Sequence, residues 1–208
     1  MASFPLFVDL KNKKCLIVGA GNIAYRKIEI LLRYEADIVV VAPQINASIL
    51  ALEEVKALRI LQKDYDSSLL EGAFLVIAAT SSLEINSLVY EDARVKNIPV
   101  NVVDDPARCT FFFPSVIKRG DLSIGISTHG KFPALSKKLR KLLSEEISEE
   151  YQEILTLLGE FRTTVREDVS SQGQRERILK QVVEEFYTDG NITGAAMRQL
   201  LNKYKEEL

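Results

Sequence analysis

The residues with the clearest chemical meaning form a glycine-rich stretch near the start of the chain. Gly19, Gly21 and Ala24 follow the pattern G-x-G-x-x-A, directly after the apolar run 15–18. The apolar residues that come next recur at helical spacing, at Ile23, Ile28, Leu31 and Leu32. The spacing predicts a buried strand, a tight turn and a helix.

Each small residue has a purpose in that context. Gly19 allows the tight turn, Gly21 lets the backbone approach a pyrophosphate, and Ala24 lets the helix pack close to the strand. The free N–H groups of the helix then face an anion. The stretch therefore predicts dinucleotide binding, and the alternative is a turn of small residues that binds no ligand.

The second predicted strand, 37–42, lacks the acidic residue that usually bonds the ribose of NAD. It is followed by Pro43, Gln44, Ile45 and Asn46, with neither a carboxylate nor an arginine that would favour a 2′-phosphate. Gln44 and Asn46 can bond the ribose as neutral groups. This feature leaves the choice between NAD and NADP open.

Asp104 and Asp105 follow the predicted strand 99–103. A carboxylate at the carboxyl end of a strand, beside a nicotinamide, can accept or relay a proton while hydride leaves a substrate. The alternative is that Asp104, Asp105 and Pro106 form a turn that ends the strand. The chain has no G-x-S-x-G elbow, no Walker lysine and no metal-spaced histidine pair, since His129 is its one histidine.

Strands and helices alternate through the first half of the chain. The predicted strands are 15–18, 37–42, 59–63, 74–79 and 99–103, and the predicted helices end near 34, 57 and 96. This order predicts an α/β fold with a Rossmann-like parallel sheet and helices on both faces. One rim of that sheet would carry residues 19–23, Pro43 with Gln44, Ala79 with Thr80, and Asp104 with Asp105.

Residues 5–10 alternate weakly between apolar and polar side chains and predict a short strand before the first strand of the sheet.

A different pattern begins after Pro106. Residues 110–117 and 121–127 have the composition of strands, and Lys118, Arg119 and Gly120 between them predict a hairpin. Phe111, Phe112 and Phe113 would give this hairpin a large apolar surface. Because a lone hairpin is not stable in water, we expect a homodimer that covers or exchanges it.

Pro133 opens a predicted helix whose apolar face is formed by Leu135, Leu139, Leu142, Leu143 and Ile147. Lys131, Lys137, Lys138 and Arg140 crowd its beginning, which suits a ligand rich in carboxylates or, alternatively, a solvated face. The residues from 149 onwards are helical and carry no catalytic spacing. The prediction is a dinucleotide-binding domain (1–113), a dimerisation region (114–148) and a helical C-terminal domain (149–208).

Composition excludes several classes of protein. The 208 residues carry a formal net charge of −2 with interspersed signs, which argues against a nucleic-acid partner. There is no apolar stretch long enough for a membrane span, and the N-terminus lacks the regions of a signal peptide. The two cysteines, Cys15 and Cys109, form no disulfide framework or zinc motif. We therefore expect a cytoplasmic protein with no membrane partner and no resident metal.

The ordered set of motifs resembles precorrin-2 dehydrogenase, which is also the N-terminal module of bifunctional and trifunctional sirohaem synthases. The motifs are Gly19-Ala-Gly-Asn-Ile-Ala24 with Arg26-Lys27, Ala78-Ala79-Thr80, Asn101-Val-Val-Asp-Asp-Pro106, Phe113-Pro114-Ser115 and Ser127-x-x-Gly130-x-x-Pro133. They run in order along essentially the whole chain.

The resemblance implies an NAD-dependent oxidation of precorrin-2 to sirohydrochlorin on the route to sirohaem. It implies NAD contacts at Asn22 and Ile23 and at Pro43 and Gln44, and it gives Asp104 the role of the family's important aspartate. The substrate would be a tetrapyrrole with acetate and propionate groups. Its carboxylates would be bound by the basic residues Lys118, Arg119, Lys131, Lys137 and Lys138.

The chain departs from the family at residues 127–130, where Ser-Ser-Gly-Gly is commoner and Thr128 and His129 stand here. Because of these two differences, we do not assign the family's phosphorylatable serine to residues 127–130. The chain shows no methyltransferase module, so we do not expect a trifunctional enzyme.

Three alternatives stay open. The first is a dehydrogenase that also acts as a ferrochelatase, with His129, Cys109 and Asp104 converging on the metal or taking pyrrole protons. The second is a nucleotide-sensing regulatory domain. The third is a dehydrogenase of another acidic substrate.

Overall fold

The computed structural model describes residues 4–55, 57–188 and 190–206. The chain divides into two compact units, Met1–Phe113 and Pro114–Leu208.

The first unit is built on a parallel sheet. Its elements are β1 (Lys14–Val18), α1 (Asn22–Leu32), β2 (Asp37–Val41), α2 (Ala47–Glu54), β3 (Arg59–Leu61), β4 (Leu75–Ala78), α3 (Leu83–Val95) and β5 (Val100–Val102). Within the described residues the sheet has five parallel strands in the order β3-β2-β1-β4-β5. This topology confirms the predicted Rossmann-like fold.

The sheet is covered on both faces, as parallel sheets require. Alternate residues of β1 point to opposite sides, so Ile17 joins one apolar cluster with Ile28 of α1. Leu16 joins the other cluster with Val89 of α3. Continuous apolar strands such as residues 15–18, all buried, are the consequence of this double covering.

The predicted lead-in strand at 5–10 is wrong. Residues 4–10 form no strand, and Phe4, Leu6 and Phe7 are exposed. Weak alternation gave these residues a strand-like pattern, but none of their backbone pairs with a strand of the sheet in the described residues. The segment ends in a turn in which Lys13 N donates to Leu10 O at 2.9 Å.

The second unit contains a hairpin and helices. Its elements are β6 (Ser115–Arg119), β7 (Leu122–Ile126), α4 (Pro133–Glu146), α5 (Glu150–Asp168), α6 (Gln172–Thr188) and α7 (Gly194–Glu206). β6 and β7 pair antiparallel, from Ser115 opposite Ile126 to Arg119 opposite Leu122. The division of this unit into a dimerisation region and a helical domain stays a prediction.

The predicted start of the hairpin at residue 110 is wrong, because β6 begins at Ser115. Phe111 and Phe113 pack on the cluster that contains Ile17, and Phe112 packs on the cluster that contains Leu16. The three rings therefore complete the core of the first unit and add no apolar surface to the hairpin. The cause is a non-local bond, in which Thr110 N donates to Val100 O at 2.8 Å and holds this segment beside β5.

The last three helices share an apolar core of their own. Phe161 of α5 is fully buried there with Val182 and Phe186 of α6 and Met197 and Leu201 of α7. The ring of Phe161 meets that of Tyr204 edge to face, with centroids 6.3 Å apart.

Membrane-spanning helices are absent from the described residues, because none of the helices combines the necessary length and apolar character.

We expect Phe161→Ala to lower the free energy of unfolding by about 3–5 kcal/mol, since it removes a buried ring and leaves a cavity. Leu155→Ala on the same helix is the control, because Leu155 is 38% exposed and its truncation costs less than about 1.5 kcal/mol. Urea unfolding followed by circular dichroism measures both. Equal losses would contradict the assignment of Phe161 to the centre of this core.

Candidate functional site

The carboxyl ends of four neighbouring strands are aligned in the first unit. Val18 of β1 lies opposite both Val41 of β2 and Ala78 of β4, and Ala78 lies opposite Val102 of β5. The loops that follow these residues therefore emerge at one edge, which we call the rim. They are the loops that carry the predicted residues of the first unit, from Gly19 to Asp104.

Gly19 holds the tightest position on the rim. Residues with a side chain rarely adopt its φ of +107°, and an added Cβ would overlap the carbonyl group of Ala79. Backbone hydrogen bonds fix the close approach of Gly19 to Ala79. Gly19 N donates to Val41 O at 2.9 Å, and Ala79 N donates to Val18 O at 2.7 Å. Only glycine fits at this position.

The N-terminus of α1 is open beside Gly19. Gly21 is the N-cap in extended backbone, and among the described residues no side chain caps this end and no acidic residue lies in its first turn. A Cβ on Gly21 would meet no protein atom within 4 Å. The first-turn N–H groups, with the exposed residues Asn22 and Ile23, thus form a cradle that fits a pyrophosphate.

Asn46 ties the glycine turn to the loop after β2. Its backbone N donates to Ala20 O at 3.1 Å, and its Nδ2 donates to Asn22 Oδ1 at 2.8 Å. Its Oδ1 accepts from Ser48 N at 2.8 Å and so caps α2. The exposed residues Pro43 and Gln44 lie in the same loop, which offers neutral amides to a ribose.

A buried amide organises the loop after β4. Asn86 of α3 is 5% exposed, and its Oδ1 accepts from Thr80 N at 3.2 Å and from Thr80 Oγ1 at 2.8 Å. Its Nδ2 donates to Thr80 O at 3.1 Å. Thr80 therefore shapes the rim with its hydroxyl turned toward α3, and a contact of Ala79 or Thr80 with a cofactor stays a prediction. Asn86 is not among the residues predicted from the sequence. Its signal there is an amide at helical spacing from Val89 and Ala93, on the buried face of α3.

Asp104 is exposed at the end of the rim that β5 forms. It has a φ of +61°, which is unusual for a residue with a side chain. The turn closes where Asp105 N donates to Val102 O at 3.3 Å, and the Asp105 carboxylate pairs with Arg108 at 3.5 Å. Asp104 is thus the carboxylate that this turn presents to solvent.

Burial alters two ionisable groups near these loops. The ammonium group of Lys27 lies 4.0 Å from the centroid of the Phe113 ring, and burial lowers the pKa of Lys27. Burial also raises the pKa of the Cys109 thiol, which keeps it neutral.

The basic residues predicted to bind substrate lie in the second unit. Lys118 is exposed at the end of β6, Lys131 is exposed before α4, and Lys137 and Lys138 are exposed on α4. Arg119 pairs with Glu149 at 3.1 Å, and its Nε donates to Ile147 O at 2.9 Å. The Arg119 guanidinium thus holds the end of α4, and substrate binding by these five residues stays a prediction.

The described ranges contain no group of three or more His, Cys, Asp or Glu side chains arranged to hold a metal ion. Cys109 is 4% exposed within the first unit, and His129 is exposed in a turn of the second unit with a φ of +52°. The buried Cys109 Sγ is bonded to the backbone of Val102 and Asp105, at 3.3 Å each.

Comparisons with known proteins agree with this geometry. A family model described as "Putative NAD(P)-binding" matches residues 6–115, and one described as "Sirohaem biosynthesis protein central" matches residues 119–146. The solved structure of SirC, a precorrin-2 dehydrogenase, superposes with a TM-score of 0.75 at 28% identity, over 97% of this chain and 100% of that chain.

Curated relatives give the same result. The chain is 36% identical to a sirohaem synthase of Photobacterium profundum over 91% of this chain and 40% of the relative. It is 39% identical to one of Psychrobacter cryohalolentis over 88% of this chain and 35% of the relative. The chain therefore spans less than half the length of these relatives. Together the matches confirm the resemblance found in the sequence.

Gly19 and Gly21 provide a matched pair of tests. We expect Gly21→Ala to keep the thermal midpoint, because its Cβ meets no protein atom, and to weaken NADH binding by more than about tenfold, because the Cβ enters the space of the pyrophosphate. Gly19→Ala should lower both the thermal midpoint and NADH affinity, because its Cβ strikes the Ala79 carbonyl.

NADH fluorescence titration and differential scanning calorimetry measure the two effects. Unchanged NADH affinity in Gly21→Ala would contradict the assignment of the cradle.

Proposed function

The chain belongs to the family described as putative NAD(P)-binding, whose model matches residues 6–115, and we propose that it is an NAD-dependent precorrin-2 dehydrogenase. In the proposed reaction precorrin-2 loses a hydride to NAD⁺ and a proton to a base. The products are sirohydrochlorin, NADH and H⁺, an oxidation on the route to sirohaem.

The observation that carries the proposal is the common rim of the first unit. The open cradle at Gly21 and the exposed carboxylate of Asp104 follow strands of one sheet whose carboxyl ends are aligned. In parallel sheets of this kind, ligands bind outside the carboxyl ends of the strands. A dinucleotide held at the cradle would thus lie on the same edge as a group able to accept a proton.

Different residues along this rim would bind the cofactor and accept the proton. The N–H groups of Asn22 and Ile23 would bind the pyrophosphate, and the loop with Pro43 and Gln44 would bind the adenosine end. Bound NAD⁺ supplies the hydride acceptor. Asp104 would accept the proton that leaves the tetrapyrrole, since its exposed carboxylate follows β5 on the same rim as the cradle.

We assign NAD as the cofactor. The loop after β2 offers the exposed amide of Gln44, while the Asn46 amide is bonded to Asn22 and Ser48. Residues 42–46 contain no cation to pair with a 2′-phosphate. The neighbouring cation Lys63 is already paired with Asp66 at 2.8 Å. Both facts favour a ribose with free hydroxyls.

The substrate's carboxylates suit the cations of the second unit. Lys118, Lys131, Lys137 and Lys138 are exposed, and long-range attraction between such cations and the acetate and propionate groups would favour capture of the tetrapyrrole. Arg119 contributes less in this scheme, because Glu149 and Ile147 already engage its guanidinium.

We propose that the protein is a homodimer and that α4 lies in the interface. Leu135, Leu139, Leu142 and Leu143 recur at helical spacing on α4 and are 47%, 38%, 44% and 39% exposed in the single chain. An apolar stripe of this kind commonly marks a protein–protein interface. The phenylalanines at 111–113 no longer support the dimer, because they belong to the core of the first unit.

We propose the cytoplasm as its location. Both cysteines are free and buried, which fits a reducing compartment, and NAD is available there.

Asp104→Asn tests the proposed chemistry. We expect turnover to fall by about 100-fold or more, since the amide cannot accept the proton, while NADH binding stays unchanged. Asp64→Asn is the control, because it removes one exposed carboxylate from another loop of the same unit.

The assay is anaerobic, with enzymatically generated precorrin-2, and follows NADH together with the tetrapyrrole spectrum. Absence of wild-type turnover with both NAD and NADP would contradict the dehydrogenase and favour the nucleotide sensor. Ferrous iron added after turnover tests the chelatase alternative against an enzyme-free control.

The dimer has a separate test. We expect the wild-type protein to have the mass of a dimer in light scattering, and Leu139→Glu with Leu142→Glu to convert it to a monomer by placing charges in an apolar contact. Lys141→Glu changes the charge of the same helix and should leave the dimer intact. A monomeric wild-type mass would contradict the proposal.

A further inference from the structure

The loop that carries Asp104 is closed at its base. Beyond β5 the chain leaves the sheet at Val103 and returns to it at Thr110. There Thr110 N donates to Val100 O at 2.8 Å, and Val100 N donates to Thr110 Oγ1 at 2.8 Å. The loop 103–109 is therefore a short excursion. It ends where Thr110 is bonded twice to Val100 of β5, and at its start Val103 N donates to Ala78 O of β4 at 2.9 Å.

Within this loop Asp104 has an unfavourable backbone conformation. Its φ of +61° occurs at the third position of a turn closed by Asp105 N and Val102 O. Glycine is usual at such a position, and a residue with a side chain there costs up to about 1–3 kcal/mol, less for Asp and Asn than for other residues. The surrounding contacts must maintain this conformation.

Cys109 contacts the backbone on both sides of Asp104. Its Sγ, in a residue 4% exposed, accepts from Val102 N at 3.3 Å. It also lies 3.3 Å from Val102 O and 3.3 Å from Asp105 O, to either of which the thiol donates. The thiol thus links the residues that open and close the turn.

A buried amide completes the arrangement. Asn101 of β5 is 7% exposed, and its Nδ2 donates to Cys109 Sγ at 3.4 Å and to Phe111 O at 3.0 Å. On the outer side Arg108 donates to Ser87 Oγ of α3 at 2.5 Å. The loop is therefore attached to the core of the first unit from both sides.

We infer that Cys109 and Asn101 are positioning residues, which hold the left-handed turn so that the Asp104 carboxylate stays directed at the reacting centre. This inference rests on the role proposed for Asp104. Neither residue touches a substrate, since both are buried in the core and act through the backbone of the loop. The buried thiol and amide explain how an aspartate can persist at a turn position that favours glycine.

Cys109→Ala tests this positioning role. It should lower kcat by about 10- to 100-fold, because a small displacement of the reacting group is enough for such a loss, and leave KM for NAD⁺ unchanged. Cys109→Ser keeps a donor and an acceptor at the same place and should recover much of kcat. Equal kcat in Cys109→Ala and wild type would overturn the inference.

Cys15→Ala is the matched control. Cys15 is fully buried on β1 of the same unit, and no hydrogen bond of its Sγ occurs among the described residues. This variant creates a similar cavity without touching the Asp104 loop, so kcat should stay near that of the wild type. A loss equal to that of Cys109→Ala would show that general destabilisation is the cause and overturn the inference.

The background variant Asp104→Asn gives a further readout. If Cys109 acts through Asp104, adding Cys109→Ala to Asp104→Asn should reduce kcat no further. A multiplicative loss in the double variant would contradict action through Asp104.

Hydrogen exchange separates this inference from the proposed function. The amide of Asp105 should exchange faster in Cys109→Ala than in Cys15→Ala, whatever reaction the protein catalyses. Equal exchange would overturn the positioning role, whereas absence of wild-type turnover with precorrin-2 would overturn only the proposed function.

Discussion

The close approach of Gly19 to the backbone of Ala79 is the constraint on which the rim depends. Parallel pairing aligns Val18 with Ala78, and the chain must turn immediately after β1 to begin α1. There is room for that turn only without a Cβ and only at a positive φ. The contact brings the open N-terminus of α1 beside the loops after β2 and β4, and so it creates the cradle.

The two ends of the rim differ in the chemical groups that they present. On the side of β2 it offers the neutral amide of Gln44, while Asn46 is bonded to Asn22 and to the glycine turn. On the side of β5 it offers the Asp104 carboxylate. Buried amides support the loops between them, since Asn86 binds Thr80 and Asn101 binds Cys109 and Phe111. A dinucleotide that spans the rim would have its ribose at the Gln44 amide and its nicotinamide toward the carboxylate.

The parts of this fold that rest on local patterns could be predicted from the sequence. Apolar runs and small residues at fixed spacing predict β1, the turn at Gly19 and α1, and the order of elements predicts the parallel sheet. Contacts between distant residues could not be predicted. Phe111–Phe113 have the same apolar character whether they belong to a hairpin or to the sheet, and the bond from Thr110 to Val100 decides between the two. Likewise Arg119 is a surface cation in the sequence, but Glu149 and Ile147 engage it in the fold.

We propose above all that one rim of the first unit holds both the dinucleotide and the acid–base group. A crystal structure of the protein with NAD⁺ tests it most directly. We expect the pyrophosphate within hydrogen-bond distance of the Asn22 and Ile23 N–H groups, with the nicotinamide on the side of Asp104. A dinucleotide bound elsewhere, or a nicotinamide directed away from β5, would contradict it.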